Sequence, residues 1–117
     1  MSERPHYRLD AWKESMALVK AVYEITRDFP REEVYGLSQQ MRRAAVSVPS
    51  NLAEGAARTS KKEFAQFISI AKGSLSELET QLLIAADLQY MDRGSLIFPQ
   101  VEKVSRLLAG LHKSLGS

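Results

Sequence analysis

Apolar residues recur at helical spacing along four stretches of this chain, and polar residues fill the positions between them. The last stretch shows the pattern most clearly, because its apolar residues follow one another at steps of four and three and therefore share one helix face. These residues are Ile97, Val101, Val104, Leu108, Leu111 and Leu115. A helix with such a face must cover it against partners, so the pattern predicts an all-α fold of packed helices.

The first predicted helix runs from Asp10, a favourable N-cap residue, to Asp28 or Phe29, where Pro30 ends it. It carries two apolar stripes side by side. The first stripe is Trp12, Met16, Val19 and Tyr23, and the second is Leu18, Val22, Ile25 and Phe29. Together the stripes are wider than one bundle seam, so one of them needs a partner outside the bundle. We expect the second stripe to lie at a subunit interface.

The second predicted helix runs from Leu37 to about Ala57 and contains a proline in its middle. Pro49 removes the backbone hydrogen bond to the carbonyl of Ala45 and crowds that carbonyl. The apolar phase nevertheless continues to Ala56. This continuity favours one helix kinked at Pro49, and a break at Val48 into two helical pieces is the alternative.

The third predicted helix starts with a capping box in which Ser60 is the N-cap residue and Glu63 follows three residues later. It continues for about 30 residues, and the fourth helix begins at Ser95 or at Pro99. Short connections make consecutive helices antiparallel neighbours. The sequence therefore predicts an antiparallel up-down-up-down four-helix bundle over residues 9–115, preceded by a flexible segment over residues 1–8.

The composition removes several classes of chemistry. The 117 residues include no cysteine, which excludes disulfides, thiolate zinc sites and cysteine nucleophiles. No stretch has the eighteen or more apolar residues of a membrane span, and residues 1–8 hold no signal-peptide core. We therefore expect a cytoplasmic protein without a membrane partner.

The net charge of +2 is small, but the predicted topology distributes it unevenly. One end of the bundle gathers six basic residues against four acidic ones, and the other end gathers five acidic residues against three arginines. The acidic residues of that second end are Asp28, Glu32, Glu33, Asp87 and Asp92. Parallel assembly of several subunits would multiply the basic end. Its candidate nucleic-acid contacts are Arg58, Lys61, Lys62 and Lys113.

The sequence holds no constellation that predicts catalysis, a cofactor or a metal ion. The di-iron bundle pattern Glu-x-x-His occurs only at Glu3 and His6, outside the predicted helices, and His112 lacks neighbouring ligands. No serine motif includes a histidine, and the glycines lack the spacing of a phosphate loop. Gly55 and Gly73 lie inside predicted helices, where close packing of a neighbouring helix is the favoured explanation.

Two polar groups on the second helix have both a structural and an interface interpretation. Asn51 can satisfy backbone groups freed by Pro49, and Glu54 can pair with Arg58 one turn later. Alternatively, Asn51 and Glu54 lie at a subunit junction. Arg42 and Arg43 are first interpreted as a solvated face, and the alternative is a contact with phosphate or an acidic neighbour. We keep all four as candidate interface residues.

Several segments combine into a recognisable signature. They are Leu9-Asp10-Ala11-Trp12-Lys13, Phe29-Pro30, Tyr35-Gly36-Leu37, residues 40–55 with the sequence QMRRAAVSVPSNLAEG, and residues 64–78. Over about residues 9–91 the chain resembles the four-helix bundle proteins of the 23S rRNA intervening-sequence family. The resemblance implies a bundle that assembles as a ring, commonly of five subunits. It also implies a distant similarity to the accessory variability determinant of diversity-generating retroelements, a strongly basic ring that binds a reverse transcriptase and nucleic acid.

We therefore expect a homo-oligomeric interaction module, with a pentamer as the implied assembly and no enzymatic activity. The alternative is an accessory protein that binds nucleic acid, or a nucleic-acid enzyme, through the basic end of the ring. The small net charge distinguishes this chain from the strongly basic relatives.

Overall fold

The computed structural model describes residues 4–116 and contains only helices and turns over that range. Its α-helices are α1 (Asp10–Thr26), α2 (Leu37–Ala56), α3 (Lys61–Asp87) and α4 (Ile97–Gly116). Two short 3-10 helices precede α1 and α2, at Pro5–Arg8 and Arg31–Glu33. The prediction of an all-α four-helix bundle is confirmed.

The four helices stand at the corners of a square. Each helix packs against its neighbours in the chain, and α1 also packs against α4, whereas no Cα atoms of the diagonal pairs come within 8 Å in the described chain. Ser47 contacts Ser74 between α2 and α3, and Ser69 contacts His112 between α3 and α4. Lys103 of α4 pairs with Glu14 of α1. These contacts fit the predicted up-down-up-down order.

The core lies on the axis of the square and draws on all four helices. Its largest fully buried side chains include Leu18, Met41, Leu52, Ile68, Leu78, Leu82 and Leu108. Burial of a leucine of this kind stabilises the fold by about 1.5–3 kcal/mol relative to an exposed one. The apolar faces predicted for α2, α3 and α4 therefore point inward as expected.

The ends of α1 differ from the prediction. Leu9 occupies the N-cap position and Asp10 is the first helical residue, so Asp10 makes no capping hydrogen bond. Its carboxylate still lies in the first turn, where the helix dipole favours negative charge. The helix ends at Thr26, before Asp28 and Phe29, because the following residues turn towards Pro30.

α2 runs through Pro49 as one continuous helix, and Pro49 is buried. The alternative of a break at Val48 is therefore wrong. The prediction that Asn51 serves a backbone group freed by Pro49 is wrong, because its Nδ2 donates to the carbonyl of Ser47 at 2.8 Å and not to the freed carbonyl of Ala45. The Asn51 side chain thus supports the helix on the turn that contains the proline.

The two interior glycines have different surroundings. A Cβ atom added to Gly55 would lie 2.7 Å from the Cβ of Phe67 and 3.0 Å from a ring carbon of Phe64. Close approach of α2 and α3 therefore explains Gly55. A Cβ atom on Gly73 would meet nothing within 4 Å, so the same explanation is wrong for Gly73.

Both ends of α3 are capped. The backbone N–H of Glu63 donates to Ser60 Oγ at 3.1 Å, and the hydroxyl of Ser60 donates to the Glu63 carboxylate. At the other end Gln89 adopts φ 64°, and Tyr90 N–H donates to the carbonyl of Ala85 at 2.9 Å. This is a Schellman motif with glutamine at the position that usually holds glycine.

The segment before α1 and the start of α4 also differ from the prediction. Pro5–Arg8 form a 3-10 helix in which His6 and Tyr7 lie against each other and against the Trp12 ring, so this part of the predicted flexible segment is folded onto α1. Residues 1–3 lie outside the described residues. α4 begins at Ile97, between the two predicted starts, and Pro99 falls in its first turn, where proline is tolerated.

Candidate interaction surfaces

The face formed by α1 and α2 carries a row of large apolar side chains that the single chain leaves uncovered. Met16 and Tyr23 on α1 are 46% and 40% exposed, and Val46 on α2 is 39% exposed. Val34 and Tyr35, in the connection between the helices, are also exposed. Contiguous exposed apolar groups mark interaction sites on soluble proteins. This face is therefore the first candidate for a contact with another molecule.

A groove of about 450 Å³ opens in this face, and we call it the α1–α2 groove. It is lined by Tyr23, Val34, Gln39, Arg42, Arg43, Val46 and Ser47. Three apolar side chains thus lie beside two guanidinium groups. Guanidinium groups form paired hydrogen bonds with carboxylates, so the groove suits an apolar surface that also carries acidic residues.

The two arginines of the groove have different roles. Arg42 Nε donates to the hydroxyl of Thr26 at 2.9 Å, and the guanidinium lies 4.6 Å from the centre of the Tyr23 ring. Thr26 in turn donates to the carbonyl of Val22 at 2.7 Å. Arg42 therefore joins α2 to α1. Arg43 is exposed and makes no hydrogen bond or ion pair with any residue from 4 to 116.

The interface stripe predicted on α1 is wrong for three of its four residues. Leu18, Val22 and Phe29 are buried within the single chain, so they cannot cover a neighbouring subunit. Ile25 is half-buried and lines a shallow depression shared with the start of α4. The first stripe is instead the outer one, because Met16 and Tyr23 are exposed and Trp12 and Val19 are only half-buried against the core.

Asn51 and Glu54 do not form a common site. Besides the Ser47 carbonyl, Asn51 Nδ2 donates to Ser47 Oγ at 2.9 Å, and Ser47 Oγ lies 2.8 Å from Ser74 Oγ. Asn51 is therefore part of a polar seam between α2 and α3. Glu54 is exposed, and within the described chain no ion pair joins it to Arg58. The guanidinium of Arg58 lies 4.9 Å from the centre of the Phe67 ring instead.

The basic end contains a second groove of about 450 Å³, which we call the lysine groove. It is lined by Lys61, Lys62, Ala65, Gln66, Ser69, His112, Leu115 and Gly116. The structure thus brings the first turn of α3 beside the last turns of α4. Lys113 is exposed on those turns of α4, and Arg58 lies on the α2–α3 turn. Three of the four predicted cationic positions therefore fall on or beside this groove.

One of the five carboxylates predicted at the acidic end, Glu33, joins two connections there. Glu33 Oε1 accepts the backbone N–H of Leu37 at 3.1 Å, and Glu33 Oε2 accepts the hydroxyl of Tyr90 at 2.8 Å. The Leu37 N–H and then the Tyr90 hydroxyl hold the pKa of Glu33 below its usual 4.5. The same hydrogen bond to Glu33 raises the pKa of Tyr90 above its usual 10.0, and partial burial adds to the rise. Glu33 thus joins the α1–α2 connection to the α3–α4 connection.

Sequence reasoning missed three exposed apolar residues of the α1–α2 face: Val34, Tyr35 and Val46. Val34 and Tyr35 lie in a connection, outside any helical stripe. Val46 follows Ala44 and Ala45, and its position on the side of α2 that faces α1 could have identified it. Val46 is recognisable in the sequence as an apolar residue that lies off the inward face of the second helix.

Within residues 4–116, no group of three histidine, aspartate or glutamate side chains could hold a metal ion together. No helix in the described part of the chain is long and apolar enough to cross a membrane.

Fold and surface together define a four-helix bundle protein with uncovered apolar faces. A protein-family model for the 23S rRNA-intervening sequence protein matches residues 7–110, and the chain belongs to this family. No curated protein matches the chain significantly.

Among solved structures, the chain is similar to a protein of unknown function from the S23 ribosomal protein family of Bacteroides thetaiotaomicron VPI-5482. The TM-score is 0.64 at 19% sequence identity, and the match covers 90% of this chain and 94% of that chain. This likeness supports the fold over 90% of the chain.

Proposed function

We propose that the chain is a self-assembling interaction module of the cytoplasm, a homo-oligomer of five subunits with no catalytic role. One observation carries the proposal, which is the uncovered apolar row on the α1–α2 face. Burial of apolar surface stabilises association by about 25 cal/mol per Å², so covering this row favours assembly. The number five rests on the resemblance to ring-forming bundles of the 23S rRNA intervening-sequence family.

The α1–α2 groove is already formed in the single chain, which supports its role as a contact surface. Tyr23, Val34 and Val46 already surround a groove, and Arg42 is fixed at its edge by Thr26. A preformed surface loses little conformational entropy when it binds. The groove is therefore suited to a stable contact more than to a transient one.

Light scattering coupled to size-exclusion chromatography tests the proposal. At micromolar concentration we expect a mass several times the 13.1 kDa of one chain. The expected mass stays constant over a tenfold dilution if the contact is tight. A mass of 13.1 kDa at all concentrations would refute self-assembly.

The second candidate function is nucleic-acid binding at the basic end, and the lysine groove favours it. Lys61 and Lys62 lie on one groove with His112, and a parallel ring would repeat this groove around its end. Affinity for phosphates would then arise from counterion release and would fall steeply with salt.

A labelled single strand and a labelled duplex, followed by fluorescence anisotropy at low and high salt, test this candidate. The Lys61→Ala, Lys62→Ala double variant should weaken binding and flatten the salt dependence. The matched control removes two exposed lysines of α1, in the Lys13→Ala, Lys20→Ala variant. Equal loss in both variants would indicate a general charge effect, and no binding at low salt would refute the candidate.

A further inference from the structure

The exposed apolar residues of the chain fall mainly into two separate groups. One group lines or borders the α1–α2 groove. The other lies on the outer side of α3, where Ile70, Ile84 and Leu88 are exposed. Together with Glu77 they are spaced at steps of seven, seven and four, so all four share one face of α3. We call this face the α3 ridge.

The two surfaces carry opposite charge. The groove has Arg42 and Arg43, and α2 holds no acidic residue before Glu54. The α3 ridge carries one acidic residue, Glu77, and no basic one. Glu79 lies off the ridge, in a depression shared with α4, and Asp87 pairs with Arg93.

Gly73 adds an independent observation on the same side of α3. It is exposed in a helix interior, and a Cβ atom there would meet nothing within 4 Å. A glycine at such a position costs about 1 kcal/mol relative to alanine. The packing of the single chain gives no reason for this cost, as it gives none for Gly110 on α4, and a second chain that approaches α3 closely would supply one at Gly73.

From these observations we infer that the α3 ridge of one copy seats in the α1–α2 groove of the next copy. This inference rests on the proposed self-assembly and names the two surfaces that meet. Pairing groove with groove would oppose arginines, and pairing ridge with ridge would oppose the Glu77 carboxylates of the two copies. Like charges brought together at an interface are unfavourable. Pairing groove with ridge joins apolar residues on both sides and brings Arg43 towards Glu77 of the next copy.

A contact between two different surfaces is head-to-tail. Such contacts build closed rings when the rotation between copies closes, and open filaments otherwise. Each copy then contributes one groove and one ridge, and every copy in a closed ring has both surfaces covered. A two-fold dimer would cover both surfaces only if each ridge seated in the groove of the other copy at the same time.

Mixing two variants tests the inference. Val46→Glu places a carboxylate in the groove, and Ile84→Lys places an ammonium on the ridge. Each variant alone should sediment at 13.1 kDa, because each lacks one of the two surfaces. The mixture retains one intact ridge and one intact groove, so it should form a dimer of one copy of each variant and nothing larger.

Controls on α4 keep the test specific. Ser105→Glu and Ala109→Lys introduce the same charges at exposed positions on α4 and should leave the wild-type mass unchanged. Circular dichroism reports whether each variant is folded. If Val46→Glu or Ile84→Lys does not fold, Val34→Glu and Leu88→Lys replace them, because both residues are more exposed, at 51% and 52%.

The outcomes separate the inference from the proposed function. A wild-type chain of 13.1 kDa refutes self-assembly altogether. An assembled wild type whose mass neither variant changes refutes only the groove and ridge as the contact. Two monomeric variants that remain monomeric when mixed at tens of micromolar refute head-to-tail pairing.

Discussion

The contact between α2 and α3 at Gly55 predicts that alanine, normally the better helix former, destabilises this protein. In a helix interior, glycine to alanine is favourable by about 1 kcal/mol. At Gly55 the new Cβ atom would lie 2.7 Å from the Cβ of Phe67, a distance that requires the two helices to separate. Overpacking of this kind costs typically about 1–3 kcal/mol.

Taking about 2 kcal/mol for the overpacking, Gly55→Ala should lower the free energy of unfolding by about 1 kcal/mol. Gly110→Ala is the matched control, because Gly110 also lies within a helix and its added Cβ would meet nothing within 4 Å. The control should raise the free energy of unfolding by about 0.5–1 kcal/mol.

Urea unfolding followed by circular dichroism measures both variants. Protein concentration must be held fixed, because assembly makes the apparent stability depend on concentration. The two substitutions should therefore change the free energy of unfolding in opposite directions. If Gly55→Ala is stabilised as much as Gly110→Ala, then α2 and α3 do not pack as closely as described.

Three further predictions concern the caps and the acidic end. Ser60→Ala should lower the free energy of unfolding by about 1 kcal/mol in urea unfolding, because it removes the acceptor of the Glu63 N–H; an unchanged midpoint would contradict the cap. Gln89→Gly should add about 0.5 kcal/mol to the free energy of unfolding and so raise the thermal midpoint slightly, because glycine adopts a positive φ without strain; a lower midpoint would contradict this. Nuclear magnetic resonance titration should place the pKa of Glu33 below 4.5 and should show it rising in Tyr90→Phe. The pKa of Glu33 is lower in the folded state than in the unfolded state, so its contribution to the free energy of unfolding is present above the unfolded pKa and is lost as pH falls through the folded pKa. The difference in free energy of unfolding between wild type and Glu33→Gln should therefore shrink on acidification.

The sequence predicted the helices well because their apolar stripes are long. The inward residues of α2, α3 and α4 repeat over several turns, and one face then dominates each helix. Ser60 and Glu63 identified the start of α3 because their capping geometry is local. The start of α1 was harder, since Leu9 takes the N-cap position that Asp10 also suits.

The rotation of α1 in the bundle could not be predicted from periodicity. Spacing shows that two stripes exist and how they lie relative to each other, but it does not show which one faces the other helices. The small residues Ala11 and Ser15 share the face of Leu18 and Val22, and all four are buried. Small side chains allow neighbouring helices to approach, and they distinguish the inner stripe from the outer stripe of Met16 and Tyr23.

The candidate surfaces were only partly predictable for a related reason. Arg42 and Arg43 were identified as interface candidates from their adjacency alone. Their association with Tyr23, Val34 and Val46 depends on how α1 and α2 pack and on the connection between them, which no local pattern encodes. The lysine groove was more accessible to prediction, because the bundle topology alone places the start of α3 beside the end of α4.

Native mass spectrometry would show directly whether five copies of this chain form one assembly. At low micromolar concentration we expect a dominant species of five times 13.1 kDa. A spectrum that contains only the 13.1 kDa chain, up to tens of micromolar, would contradict self-assembly. A dominant two-chain species would contradict the ring.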